Sequence, residues 1–268
     1  MVAHFRGSAA ELYPSLLSDP FAHALGGEDG ARAATHYLSA HPYMVLYMAL
    51  RTASFDDEVR AAVEQGATQV VILGAGLDTR AARLARPGGC FVEVDQPSTQ
   101  DSKRERLAGL NAYPVDAVIY VLCDFERQDF LELLVLAGFR LDAPAVVVWE
   151  GVVYYLTEDA IRHTTKRIAS CHPETRLAFD FVGKRFVLGD LKDPIDERAR
   201  DLVAEMGEPL RFGTDDPLPL LYESGFRHVR SVTFDQLALT YTGSYDRGRK
   251  MRFQQLAVAS VAPPRRPR

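Results

Sequence analysis

Residues 69–95 constrain the fold more than any other stretch. Gln69-Val-Val-Ile-Leu73 is a short apolar run rich in β-branched residues, and it stops at Gly74-Ala75-Gly76. A helical pattern follows through Arg80 and Leu84. A second apolar run, Cys90-Phe-Val-Glu-Val-Asp95, then ends in an acid about twenty residues after the glycines. Strand, glycine turn, helix, strand and acid is how a doubly wound α/β domain holds a nucleoside. The glycines let the backbone approach a ligand, and Asp95 can accept hydrogen bonds from ribose hydroxyls.

The rest of the chain keeps the same rhythm. Strands are predicted over 70–73, 90–94, 117–123, 145–149 and 176–182, with helices between them over 79–84, 97–110, 127–136 and 157–171. Residues 183–224 break the alternation. They are charged and carry Pro194, Pro209, Pro217 and Pro219, and they read as a helical lid over about 183–212 followed by one helix. Two further strands are predicted over 229–234 and 255–261. The fold class is therefore α/β: a doubly wound, mainly parallel seven-stranded sheet with an antiparallel edge strand. Residues 1–66 form a helical cap, with a loop at Gly26–Gly30 and a helix over Phe55–Gln65 that has Asp56 and Asp57 near its start. Residues 67–268 form the nucleoside-binding domain.

The net charge of -5, with signs interspersed, argues against a nucleic-acid partner. The one basic cluster, Pro263–Arg268, reads as a frayed terminus. Cys90, Cys123 and Cys171 lack CxxC spacing and read as buried thiols in a reducing cytoplasm. No run approaches the roughly eighteen apolar residues of a membrane helix, so no membrane partner is expected. No His, Cys, Asp or Glu set has ligand spacing, so no metal is expected either.

Open α/β sheets bind ligands beyond the carboxyl ends of their strands. Those ends carry Gly74-Ala-Gly76, Asp95, Cys123-Asp124-Phe125 and Glu150-Gly151, and all four suit a polar ligand. The turn lacks the third glycine of the dinucleotide fingerprint, because Thr79 stands there. Asp78 would repel phosphates at the helix start. These features disfavour an NAD-dependent oxidoreductase and favour a phosphate-free nucleoside such as S-adenosyl-L-methionine. Asp95 and Asp124 are also ordinary helix caps. Asp124 is open to a second role, receiving the adenine amino group with Phe125 beside the ring.

Arg51-Thr52, Val71-Ile-Leu-Gly-Ala-Gly-Leu-Asp-Thr-Arg80, Glu93-Val-Asp-Gln-Pro97, Cys123-Asp124 and Glu150-Gly-Val-Val-Tyr-Tyr-Leu-Thr157 together resemble the leucine carboxyl methyltransferase family. They are most similar to its bacterial branch, which includes tetracenomycin-type polyketide O-methyltransferases. The resemblance runs from about Tyr37 to about Cys171. It implies that S-adenosyl-L-methionine is the cofactor, held by Arg51, Gly74, Ala75, Gly76, Asp95, Gln96, Asp124, Phe125 and Glu150. In that scheme Arg51 meets the methionine carboxylate and Glu150 the methionine ammonium, an opposite-charge match for a zwitterion.

The methyl acceptor is less constrained. No histidine stands at a strand end, although His36 and His41 lie in the cap and can reach the site. A carboxylate needs no base, whereas a phenol or alcohol does. The expected acceptor is therefore a carboxylate of a small secondary metabolite. A hydroxyl acceptor, or a methyltransferase fold with a non-methylating role, is the alternative. Tyr37, Tyr154, Tyr155 and Arg80 are the candidate positioning residues. The tyrosines at 37–47 are equally suited to a core between helices, and Arg80 is equally suited to a surface pair with Asp78. A homodimer is compatible with this reading.

Overall fold

The structure, a computed structural model, describes residues 1–114, 118–190, 193–205, 209–245 and 251–264. Most of the basic C-terminal cluster lies outside the described residues.

Three helices precede the sheet: α1 (Val2–Leu12), α2 (Ala22–Ala40) and α3 (Met44–Glu64). The break at His41-Pro42 falls where the sequence predicts, since the residue before a proline is driven out of the helical region. Two expectations fail here. Gly26–Gly30 is not a loop but part of α2, kinked at Gly27 (φ 60°, ψ -173°). Gly26 and Gly30 instead let α1 pack close: a Cβ on Gly26 would lie 3.0 Å from the His4 nitrogen, and one on Gly30 3.1 Å from the Met1 nitrogen. The second failure is a helix start at Phe55. α3 runs straight through, because the buried Ser54 hydroxyl donates to the Leu50 carbonyl at 2.7 Å and needs no other partner. Asp56 thus sits mid-helix and buried rather than at an exposed first turn.

The sheet contains β1 (Gln69–Leu73), β2 (Cys90–Asp95), β3 (Val118–Leu122), β4 (Ala145–Trp149), β5 (Arg176–Val182), β6 (His228–Thr233) and β7 (Gln254–Ser260). Their spatial order is β3-β2-β1-β4-β5-β7-β6. The first five are parallel; β7 is the reversed strand, antiparallel to both neighbours β5 and β6, and β6 closes that edge of the sheet. β1, β4 and β5 are buried along their whole length, which explains why their sequences are mostly apolar. The connections turn to opposite sides of the sheet after β1 and after β4. The switch point therefore lies between the glycine turn and Glu150.

The remaining helices are α4 (Arg80–Leu84), α5 (Pro97–Leu107), α6 (Phe130–Leu136), α7 (Glu158–Ala169), α8 (Lys184–Leu188), α9 (Pro194–Glu205), α10 (Leu218–Ser224) and α11 (Phe234–Thr242). Asp129 caps α6 through the Leu131 and Glu132 amides, and Thr157 caps α7 through the Ala160 amide. α8 and α9 occupy the predicted lid segment. Ala199 and Leu202 of α9 pack into the apolar cluster of the N-terminal layer. Among the described residues no helix is long and apolar enough to cross a membrane.

Candidate active site

A cavity of about 410 Å³ opens at the switch point, within the range of small-ligand sites. Its floor is Gly74, Ala75 and Gly76; its walls include Arg51, Glu150, Tyr154 and Tyr155; the start of α1 and Val203 of α9 lie over it. Two glycines are required by geometry. Gly74 has φ 65°, and a Cβ there would lie 2.4 Å from a Val152 methyl carbon. Gly76 has φ 51°, and a Cβ there would meet nothing within 4 Å. The second glycine therefore leaves an open backbone face where a ligand can lie close.

Charge at the wall is tightly paired. Glu150 meets Arg51 Nε at 2.8 Å and Arg80 Nη2 at 2.6 Å. Arg51 Nη1 also faces Asp180 at 3.4 Å and the Tyr47 hydroxyl at 3.2 Å. Asp180 accepts from the Gly151 amide at 2.6 Å. Behind them Arg80 binds Asp56 at 2.8 Å and Asp78, while Arg83 also binds Asp56. Arg6 of α1 joins Asp19 and donates to the Leu77 carbonyl at 2.6 Å. α1 is thereby fastened to the turn that carries the glycines.

These contacts set the ionisation. Burial would raise the Glu150 pKa, but Arg80 and Arg51 outweigh it and hold the carboxyl below its ordinary range. Burial likewise opposes ionisation of Asp78, yet Arg80 and its cationic neighbours bring it down to about 2. Asp180 goes the other way: burial pushes it up to about 6 despite Arg51. A raised folded-state value means a stability contribution that is full below the ordinary carboxylate range and is lost as pH rises through about 6. Asp180→Asn keeps an oxygen for the Gly151 amide. It is expected to flatten the fall in thermal stability between about pH 4 and pH 6 by on the order of 1–3 kcal/mol. Parallel melting curves for variant and parent across that window would overturn the assignment.

The structure brings Arg51, Gly74, Ala75, Gly76, Glu150, Tyr154 and Tyr155 together on the main cavity. Tyr37 lines an adjoining chamber. Arg80 is corrected. It is 1% exposed and lies behind Glu150, neither on the surface nor open to an acceptor. Asp78 is corrected too, because its charge is neutralised by Arg80 instead of standing alone at the helix start.

Four predicted residues do not line the cavity. Asp95 is not a helix cap; its two oxygens accept from the Gly76 and Gln96 amides at 2.6 and 2.7 Å, so it ties the glycine turn to β2. Gln96 is exposed at the start of α5. Asp124 accepts from the Glu126 amide at 3.0 Å within a turn, and Phe125 packs on Phe130. Glu93, two residues before Asp95 on β2, is fully buried against Lys103.

Asp180, Asp56, Asp19 and Arg6 were not selected from the sequence. Asp180 alone carries a signal, as a lone acid inside the apolar run Leu177-Ala-Phe-Asp-Phe-Val182. Among the described residues no group of three His, Cys, Asp or Glu is arranged to hold a metal ion.

A parallel five-strand core, a reversed seventh strand and a glycine turn at the switch point define the Rossmann-like methyltransferase fold. A DUF574-family protein of Streptomyces avermitilis shares that fold with a TM-score of 0.68, over 98% of this chain and 97% of its own, at 16% identity. The sequence model named leucine carboxyl methyltransferase matches residues 1–169. A Mycolicibacterium vanbaalenii protein assigned as an S-adenosyl-L-methionine-dependent methyltransferase is 34% identical over 243 residues, 85% of this chain and 76% of its own. A Mycobacterium marinum protein with the same assignment is 35% identical over 221 residues, 78% of this chain and 71% of its own. The chain belongs to the leucine carboxyl methyltransferase family. It is accordingly a methyltransferase that depends on S-adenosyl-L-methionine.

Proposed function

We propose that the chain is an O-methyltransferase that esterifies a carboxylate of a small metabolite. The observation that carries the acceptor class is the ionisation of the main cavity's side chains. Asp78 and Glu150 are held ionised by guanidinia and are weak bases. Burial raises the Tyr154 phenol well above its ordinary value, so it donates and does not accept a proton. Among the described residues no histidine, lysine or cysteine side chain is on this wall. Such a chamber suits a nucleophile that is already ionised at neutral pH.

The residues present fit the cofactor. Its sulfonium supplies an electrophilic methyl group. Arg51 and Glu150 on the wall offer opposite charges to a zwitterionic ligand. Arg51 would face its carboxylate, Glu150 its ammonium and Gly76 its ribose. Asp95 would exchange the Gly76 amide for ribose hydroxyls, and Gln96, Asp124 and Phe125 would border the base. α8 and α9, the described part of the lid segment 183–212, would close the mouth and with residues 1–66 exclude water. Alignment of acceptor and methyl group in such a chamber is worth up to about 7–11 kcal/mol of barrier lowering.

Incubation with methyl-labelled cofactor and a panel of carboxylic acids and phenols tests the acceptor. Label released by mild alkali marks an ester, the expected product; alkali-stable ethers alone would overturn the carboxylate reading. Asp95→Ala is expected to weaken cofactor binding by about 1.5–3 kcal/mol, on the order of ten- to a hundredfold in a calorimetric Kd. An unchanged Kd would remove Asp95 from the site.

A further inference from the structure

The main cavity has a side chamber of about 60 Å³ with which it shares Arg51, Tyr154, Tyr155 and Val203. Its walls are mostly apolar and aromatic: Met44 and Met251, and the stacked rings of Phe186 and Phe253, whose centroids lie 4.1 Å apart at 4°. His41 also lines it, and is 1% exposed. Neither ring nitrogen of His41 has a hydrogen-bond partner among the described residues. The ring stacks on Tyr37 at 6.2 Å and 15°, and the backbone at the end of α2 is fixed by Pro42 behind it. Burial lowers the imidazole's pKa, opposed more weakly by its own backbone and then by Asp193, so the ring is neutral at pH 7.

A neutral imidazole carries one N–H donor and one bare acceptor nitrogen. Leaving both unmet in a buried wall is costly, which is why an orphaned buried polar side chain calls for a partner. The partner must be small, because the chamber is. It must also be uncharged: Arg51, the guanidinium on this wall, is already committed to Glu150 and Asp180. A hydroxyl meets these conditions whichever nitrogen bears the proton, since it can donate to the bare one or accept from the other.

We infer that His41 is a specificity-determining residue that hydrogen-bonds a hydroxyl on the acceptor, remote from the oxygen that is methylated. The acceptor class is then a flat, apolar acid with a hydroxyl on its far side. This rests on the carboxylate reading given above. Tyr37, as the ring under His41, holds the imidazole in place.

The test uses the full chain with saturating cofactor and two probes, a hydroxynaphthoic acid and naphthoic acid. The parent protein is expected to prefer the hydroxylated acid by roughly tenfold in KM. His41→Phe is expected to erase that preference by raising KM for the hydroxylated acid, with kcat within about twofold, and His41→Gln, which keeps a donor and an acceptor, to restore part of it. His41→Phe should not lower the melting temperature, because it removes two orphaned polar atoms from an apolar wall. A merely structural histidine would lower stability and leave the preference intact, and that pattern would overturn the proposal. So would equal KM values for the two acids in the parent protein. Ester formation with no effect of either His41 variant would sink the His41 role and leave the carboxylate reading standing. A methyl ether as the product would sink the reading and the remote-hydroxyl assignment with it.

Discussion

Glu150→Gln is expected to weaken S-adenosyl-L-methionine binding by about 2–5 kcal/mol, roughly thirtyfold to several thousandfold in Kd. The substitution keeps the shape of the side chain and removes the one carboxylate that faces the cavity while contacting both Arg51 and Arg80. Truncating one partner of a buried charge network removes an attraction and also leaves the other charges short of a partner. The fold should survive, because Arg51 keeps Asp180, and Arg80 keeps Asp56 and Asp78. Calorimetric titration checks this, with a melting curve of the ligand-free variant as the control for folding. A Kd within about twofold of the parent, in a folded variant, would mean that Glu150 serves the arginines alone.

Arg80→Met is expected to act on stability instead, lowering it by about 3–5 kcal/mol. Arg80 is a fully buried guanidinium with three carboxylate partners. Methionine fills much of its volume and returns none of its charge, so Asp56, Asp78 and Glu150 are left excessively negative in a buried site. The loss is larger than for a surface pair, whose worth is typically below about 1 kcal/mol. Urea unfolding measures it directly. A change under about 1 kcal/mol would show that desolvation of Arg80 already cancels its pairing. Binding should fall as well in this variant, because Glu150 loses one of the two guanidinia that keep it ionised, but only secondarily.

The two variants separate roles that the sequence leaves merged. Arg80 stands two residues after Asp78 at the start of a short helix, and local reasoning allows either a surface pair or a steering cation. It is neither. Arg51 shows the reverse case. By itself it is one arginine within a long helix, and only its place in the family motif selects it. Its partners lie far downstream: Glu150 just past the end of β4, and Asp180 in β5, 129 residues away. No periodicity or spacing encodes a contact of that range.

The sequence alone determined the elements and the cofactor turn. β-branched runs of strand length, prolines and glycines at element ends, and acids beyond the strands are local preferences, and each is decided within a few residues. Hence β1, β2, β4 and β5 and the glycine turn lie where the sequence predicts. The tertiary structure decided which charges meet. It carried α3 through Ser54, so that Asp56 turned inward; fastened α1 to Leu77 by Arg6; tied Asp95 to Gly76; and buried His41 beside an aromatic chamber. The physical reason is that hydrogen bonding along a strand or helix is satisfied by near neighbours. A buried charge or an orphaned imidazole is defined by whichever distant segment packs against it.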